Sequence, residues 1–421
     1  MQLRQAYNLV HITAGGEYKA PLVASQLFDQ AEFQAVIKEG FAPAKVEAWI
    51  IGPMREYFDG DVKNSINHLK ARCPHIHIRM INGISRLRNF PVLLLMRMNR
   101  LRLGKNIPVI YHCRGEGAAM WALQLKELFP GDNVVLDVRG FWPAELLYNR
   151  GFDDPALAKS RDLEDYIKAH ALLKNTIKKV DTVTTVSTAL KELLIKEMGA
   201  PLQTTVVPCC VSQISADEHR DEIRRNWGIK DDETAIVYSG STAAYQHLED
   251  LTIPFLKKLA ERNTKIRLVF LSSEPEAIKK MLAEAQIAID KIIVKSLPQN
   301  EVAIALTACD AGVLIRKPTL VNRVANPVKI AEYLASGLPV IIEKGIGGVS
   351  ESLFGQSVLK GIEIAAPGAD MDSTAIDVNA WLSEGLGNKR QLARDYVKEV
   401  YLWSAAVHVS RKMYSDVLIK H

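Results

Sequence analysis

Little in this chain can cross-link it or bind a metal. Its 421 residues include only five cysteines: Cys73, Cys113, Cys209, Cys210 and Cys309. No Cys-x-x-Cys pair and no Cys/His ligand spacing occurs, which excludes a disulfide scaffold and a zinc module. A sparse, odd set of thiols points to a reducing compartment. Long hydrophobic runs are absent too. No stretch of about 18 apolar residues occurs, so no membrane-spanning helix is expected. The apolar run near the N-terminus is too short for a signal peptide and lacks a small-residue cleavage site. There are no repeats and no low-complexity tracts. Charge of one sign is not in excess: 53 basic against 48 acidic residues leave +5. That balance permits an anionic substrate or a membrane surface and gives no reason to expect nucleic acid. What is present, 48% hydrophobic and 24% charged residues, is ordinary globular material. It is enough for two or three domains.

Apolar runs alternate with stretches of helical periodicity. Residues 7–12, 46–51, 75–80, 109–112, 134–138 and 180–187 read as strands, and 118–128 and 157–179 as helices. The second half repeats the pattern, with strands at 235–238, 267–271, 292–294, 312–315 and 340–342. Such alternation predicts an α/β class with parallel sheets, and ligands at the carboxyl ends of strands. The polar, turn-rich stretch 212–222 divides the halves.

Several loops carry chemistry. Gly15 and Gly16 follow the first strand, where two glycines let a ligand approach the backbone closely. Asp59-Gly60-Asp61 has the Asp-x-Asp pattern of metal-dependent sugar transferases. Asp-Gly is a turn signal and no strand precedes it directly, so it reads as a turn. Residues 85–105 hold Arg86, Arg88, Arg97, Arg100, Arg102 and Lys105, no acid, and the apolar run 90–96. Such a helix can lie on an anionic membrane with its arginine stems along the apolar boundary. It can equally pack on a core with its arginines in water. Asp137, Arg139 and Trp142 end the strand at 134–138. Arg139 offers a planar fork to a phosphate or carboxylate. Asp137 can orient Arg139 or an acceptor hydroxyl. His112, Arg114 and Trp142 are the candidate acceptor contacts.

Residues 326–341 read NPVKIAEYLASGLPVI. Pro327 suits the first position of a helix, and Val328, Ile330, Ala331, Leu334 and Ala335 form its apolar stripe. Gly337 ends it, and a buried strand follows. A helix N-terminus favours an anion; Lys329 adds a cation, and Glu332 can accept from the vicinal hydroxyls of a sugar. This stretch resembles the donor-site helix of the retaining glycosyltransferases of family 4. The resemblance implies the GT-B fold: two Rossmann-like parallel α/β domains facing a central cleft. It divides the chain into an acceptor-binding domain (1–211), a donor domain (212–399) and a helix crossing back to the first domain (400–421).

The resemblance also implies roles. Glu332 would hold the nucleotide ribose. Gly15, Gly16, Gly240, Ser241, Arg316, Asn326 and Lys329 would line the donor, and Asp137, Arg139 and Lys329 would serve catalysis. Asp137-Val-Arg139-Gly140 resembles a sub-group motif. Departures from the family pattern are Val324, where many members have a first Glu, and Ser241 and Gln246, where many have an Arg and a Lys. Arg316, Lys317, Arg323 and Lys329 are the cations that can replace them.

The implied reaction moves a sugar from a nucleotide-diphosphate sugar to a hydroxyl of a glycan or lipid-linked glycan. It would proceed with retention, without metal or other cofactor, in cell-surface polysaccharide assembly. The implied location is the cytoplasm, at the inner face of the plasma membrane. A nucleotide-sugar epimerase of the same fold and a non-catalytic scaffold are the alternatives.

Overall fold

The computed structural model describes residues 6–14, 25–53, 56, 58–83, 90–347, 349 and 358–419. The chain forms two compact units, Met1–Ser212 with Trp403–His421, and Gln213–Leu402.

Unit 1 runs β1 (Asn8–Ala14), α1 (Gln30–Val36), β2 (Lys45–Pro53), α2 (Gly60–Arg72), β3 (His77–Gly83), α3 (Phe90–Arg102), β4 (Val109–Arg114), α4 (Gly115–Leu128), β5 (Asn133–Val138), α5 (Trp142–Tyr148), α6 (Ser160–Ile177), β6 (Thr182–Thr185), α7 (Thr188–Leu193) and β7 (Thr205–Val206). Its strands form one sheet in the order 3-2-1-4-5-6-7, and every neighbouring pair is parallel. The central strands are buried along nearly their whole length, which is why they read as unbroken apolar runs rather than alternating ones. Tyr7, Leu9, Phe28, Ile50, Ile66, Ile110 and Val135 share a core with Met413 and Tyr414 of the C-terminal helix.

Unit 2 runs α8 (Arg220–Trp227), β8 (Thr234–Ser239), α9 (Ile253–Arg262), β9 (Ile266–Leu271), α10 (Pro275–Glu284), β10 (Ile292–Lys295), α11 (Gln299–Leu306), β11 (Ala311–Leu314), α12 (Leu320–Val324), α13 (Val328–Ala335), β12 (Val340–Glu343), β13 (Leu359–Ile362), α14 (Met371–Ser383) and α15 (Leu386–Val400). Its sheet has the order 10-9-8-11-12-13, again parallel throughout. This is the doubly wound arrangement, with a switch point between β8 and β11. The last helix, α16 (Trp403–Ile419), belongs to unit 1. Its Arg411 is buried and donates to the carbonyls of Gln34, Ile37 and Glu39 where α1 ends.

Local details follow side-chain chemistry. Asp59 caps α2, accepting from the N–H groups of Asp61 and Val62, so the Asp-Gly-Asp triplet is a helix start. Ser187 caps α7 in the same way. The strand expected from residue 75 begins at His77, because the His75 N–H turns to the Glu32 carboxylate. Gly15 and Gly16 lie outside the described residues.

Candidate active site

The loops at the unit 2 switch point are tied to one another by side chains. Arg316, after β11, is buried; its Nε donates to Gln246 Oε1 at 3.0 Å and its guanidinium lies 5.2 Å from the Tyr245 ring centroid. Buried Asn322 donates to the carbonyls of Lys317 (3.0 Å) and Tyr245 (3.4 Å) and accepts, through its own carbonyl, from Gly347 N–H (2.9 Å). Gly347 has φ +71°, and a Cβ there would stand 2.8 Å from Pro327 Cδ. The segments after β8, β11 and β12 therefore meet around the entry to α13. The β8 loop is fixed as well: Tyr238 donates from its hydroxyl to the Ser241 carbonyl at 2.6 Å, over Gly240.

Helix α13 starts at Val328, so Pro327 occupies the cap rather than the first helical position, and no side chain caps the helix. Among the described residues, nothing accepts from the backbone N–H groups of Val328 and Lys329. That is the arrangement a helix offers to an anion. Lys329 Nζ lies 2.7 Å from Glu332 Oε2, both partly buried. The two side chains assigned to diphosphate and ribose thus form one ion pair, one turn apart on one face. Asn326 is buried at the helix entry. Tyr333 ties the helix to the switch point: its hydroxyl accepts from Ser239 N–H at 2.8 Å and its ring covers Gly312, where a Cβ would overlap it.

Lys317 is already engaged, 3.2 Å from Asp250 Oδ2, and His247 Nδ1 lies 2.9 Å from the same oxygen. Burial pushes the Asp250 carboxyl up, and His247 and Lys317 outweigh it, leaving it below the ordinary range.

In unit 1, a cavity of about 500 Å³ opens where β1, β4 and β5 end. Arg114, Glu116, Asp137, Arg139, Trp142 and Glu145 line it. It gathers four of the residues singled out from sequence and adds two glutamates. Gly115, at φ +74°, turns the chain from β4 into α4. Gly140 lets the Glu145 carboxylate sit where a Cβ would collide with it. The sequence signal for Glu145 was a glycine after a strand followed by an acid in the next helical turn.

Asp137 is buried, accepts from Thr184 Oγ1 at 2.9 Å and lies 3.7 Å from Arg139 Nη1 and 3.8 Å from His112 Nε2. Burial alone would raise its pKa. Arg139, His112 and Arg114 outweigh that and hold the carboxyl far below the ordinary range. Asp137 is therefore a fixed anion that orients its neighbours. Arg139 spends donors on the protein: Nη1 reaches the Val207 carbonyl at 3.2 Å, and Nη2 reaches Gln26 Oε1 at 3.3 Å and Cys209 Sγ at 3.2 Å. His112 does not line the cavity. Its ring is buried beneath it, with Nδ1 2.8 Å from Tyr414 Oη on α16. His11 lies beside it, ring centroids 4.9 Å apart, and is held neutral by burial and by His112. Tyr414, Gln26 and Tyr333 had no sequence signal, because each meets its partner across a long stretch of chain.

Among the described residues no cluster of metal-ligating side chains occurs, and no helix is long and apolar enough to cross a membrane. All five cysteines are free.

Residues 219–400 match the family model described as Glycosyl transferases group 1. The matched residues lie within unit 2. The GT-B glycosyltransferase fold extends over both units. A glycosyltransferase from Rickettsia africae ESF-5 superposes with a TM-score of 0.67 at 14% identity, covering 99% of this chain and 100% of that one. HepE from Anabaena, in complex with UDP, gives 0.67 at 11% identity over 97% and 100%; its complex with UDP-glucose gives 0.64 at 11% identity over 97% and 99%. WaaG, a glycosyltransferase involved in lipopolysaccharide biosynthesis, gives 0.60 at 12% identity over 98% and 100%. No curated protein matches the chain significantly. Gly240, Ser241, Arg316, Asn326, Lys329 and Glu332 all fall inside the matched residues.

Proposed function

We propose that this protein transfers a sugar from a nucleotide-diphosphate sugar to a hydroxyl of a glycan or lipid-linked glycan, with retention and without a metal. On this reading it is of the family 4 type and acts in cell-surface polysaccharide assembly on the cytoplasmic side of the membrane. The observation that carries the reading is the entry to α13, inside the residues matched to the group 1 model. Unmet backbone N–H groups, Lys329 and Glu332 stand together there, beside a switch point that also holds Arg316. A diphosphate meets the N–H groups and Lys329, which frees Glu332 to accept from the ribose hydroxyls. HepE, of the same fold, was solved with UDP and with UDP-glucose.

Breaking the anomeric bond builds charge on the leaving phosphate. Fixed cations and helix-end N–H groups stabilise that charge more than the ground state. Asp137, held as a strong acid's anion, takes up a proton poorly near neutral pH. The leaving phosphate is then the base for the acceptor hydroxyl, in a front-face reaction, and Asp137 and Arg139 position the acceptor.

The test is product analysis with labelled UDP-glucose, UDP-N-acetylglucosamine and GDP-mannose, with and without a glycan acceptor pool. Label transferred to acceptor with its anomeric configuration kept supports the reading. A donor epimerised in the absence of acceptor contradicts it.

A further inference from the structure

Helix α3 is seated with an unusual polarity. Its inward face carries Val92 and Met96, with Leu103 just beyond its end, and also Arg100, which is buried. Arg100 grips Asp132 through Nε (2.6 Å) and Nη2 (2.8 Å) and donates to the carbonyls of Gly104 (2.8 Å) and Ile107 (3.1 Å). A buried two-point ion pair with this many bonds fixes which way the helix faces. The outward face is apolar. Leu94 is 45% exposed, Leu95 36%, Met98 48% and Leu101 38%. Their spacing of three, four and seven residues makes one continuous stripe. Arg97, Arg102 and Lys105 are exposed around it, and residues 90–105 contain no acid. None of these three cations is paired with a carboxylate among the described residues.

A surface helix ordinarily puts its apolar residues inward and its charges outward. Here a cation is buried and four large apolar side chains face water, rimmed by further cations. An exposed apolar stripe of this kind marks an interaction surface. We infer that the outward face of α3 docks on an anionic lipid bilayer. The leucines and Met98 enter the boundary between headgroups and acyl chains, and the arginine and lysine stems extend along it to lipid phosphates. Charge selects this occupant. A second copy meeting the same patch about a two-fold axis would set these cations against themselves. The inference does not depend on sugar transfer.

Co-sedimentation of the full chain with vesicles tests it. The protein should pellet with phosphatidylcholine–phosphatidylglycerol vesicles at low salt and stay in solution with phosphatidylcholine alone. Arg97→Gln/Arg102→Gln/Lys105→Gln should weaken binding on the order of 100-fold. Leu94→Ser/Met98→Ser/Leu101→Ser, on an exposed face that folding does not need, should weaken it about 10-fold or more and leave the remainder fully salt-sensitive. Failure of the wild type to pellet with anionic vesicles overturns the inference, as does unchanged binding by either variant. So does a dimer, seen by sedimentation velocity without vesicles, that Met98→Ser dissolves.

Discussion

At the scale of single residues, the two sites use charge differently. Asp137 is locked into its anionic form by its neighbours. Its pKa is lower in the folded chain than the value of about 3.9 in an unfolded one. Its stabilisation is therefore complete above the unfolded value and is lost as the pH falls through the folded one. Asp137→Asn should cost about 3 kcal/mol near neutral pH, because Arg139 loses its buried counter-charge. The gap to wild type should stay level from pH 7 to about pH 5 and narrow below about pH 4. Urea unfolding midpoints measured across that range check this, and a gap that widens towards acid contradicts it. Lys329 and Glu332 instead form a partly buried ion pair, and on the proposed reading each leaves the other for the donor. Lys329→Ala should lower kcat about 100-fold by removing a charge that acts on the leaving phosphate. Glu332→Ala should mainly raise the donor KM, about 10-fold or more, a pattern that steady-state kinetics separates.

At the scale of elements, α13 is positioned by Tyr333, which reaches the end of β8 and covers β11. Tyr333→Phe leaves the buried Ser239 N–H without its acceptor and should cost about 1–3 kcal/mol. Gly312→Ala drives a methyl group into the same ring and should cost a similar amount. Thermal unfolding reads both, and unchanged melting would mean that α13 is held by something else. Most strands were legible in the sequence because buried parallel strands are runs of Val, Ile and Leu. Strand β13 was not: Lys360 and Gly361 interrupt a four-residue segment at the sheet edge. Helix α3 was legible as basic and apolar. Its orientation was not, since both of its faces are apolar and only the Arg100–Asp132 pair decides which one turns inward. The same limit hid the contacts of Gln246 and Asn322. Their roles arise from loops that converge only after the sheet has formed.

At the scale of the whole molecule, two doubly wound units were foreseeable from the alternation of strands and helices, and the match of residues 219–400 to the group 1 model agrees with the resemblance read from the stretch around α13. The cations expected to replace the missing Arg and Lys differ in how they are held. Lys317 is taken up by Asp250, and Arg316 is held by Gln246, the residue standing where the resembled family has its Lys. A diphosphate in unit 2 would thus meet Arg316 and Lys329 rather than side chains of the β8 loop. Calorimetric titration of the full chain with UDP, GDP and ADP tests this most directly. The account predicts that one of them binds with a Kd in the micromolar range, on the order of −8 kcal/mol, and that Lys329→Ala and Arg316→Ala each weaken it about 10-fold or more. No binding of any nucleoside diphosphate, or binding that both substitutions leave unchanged, would contradict it.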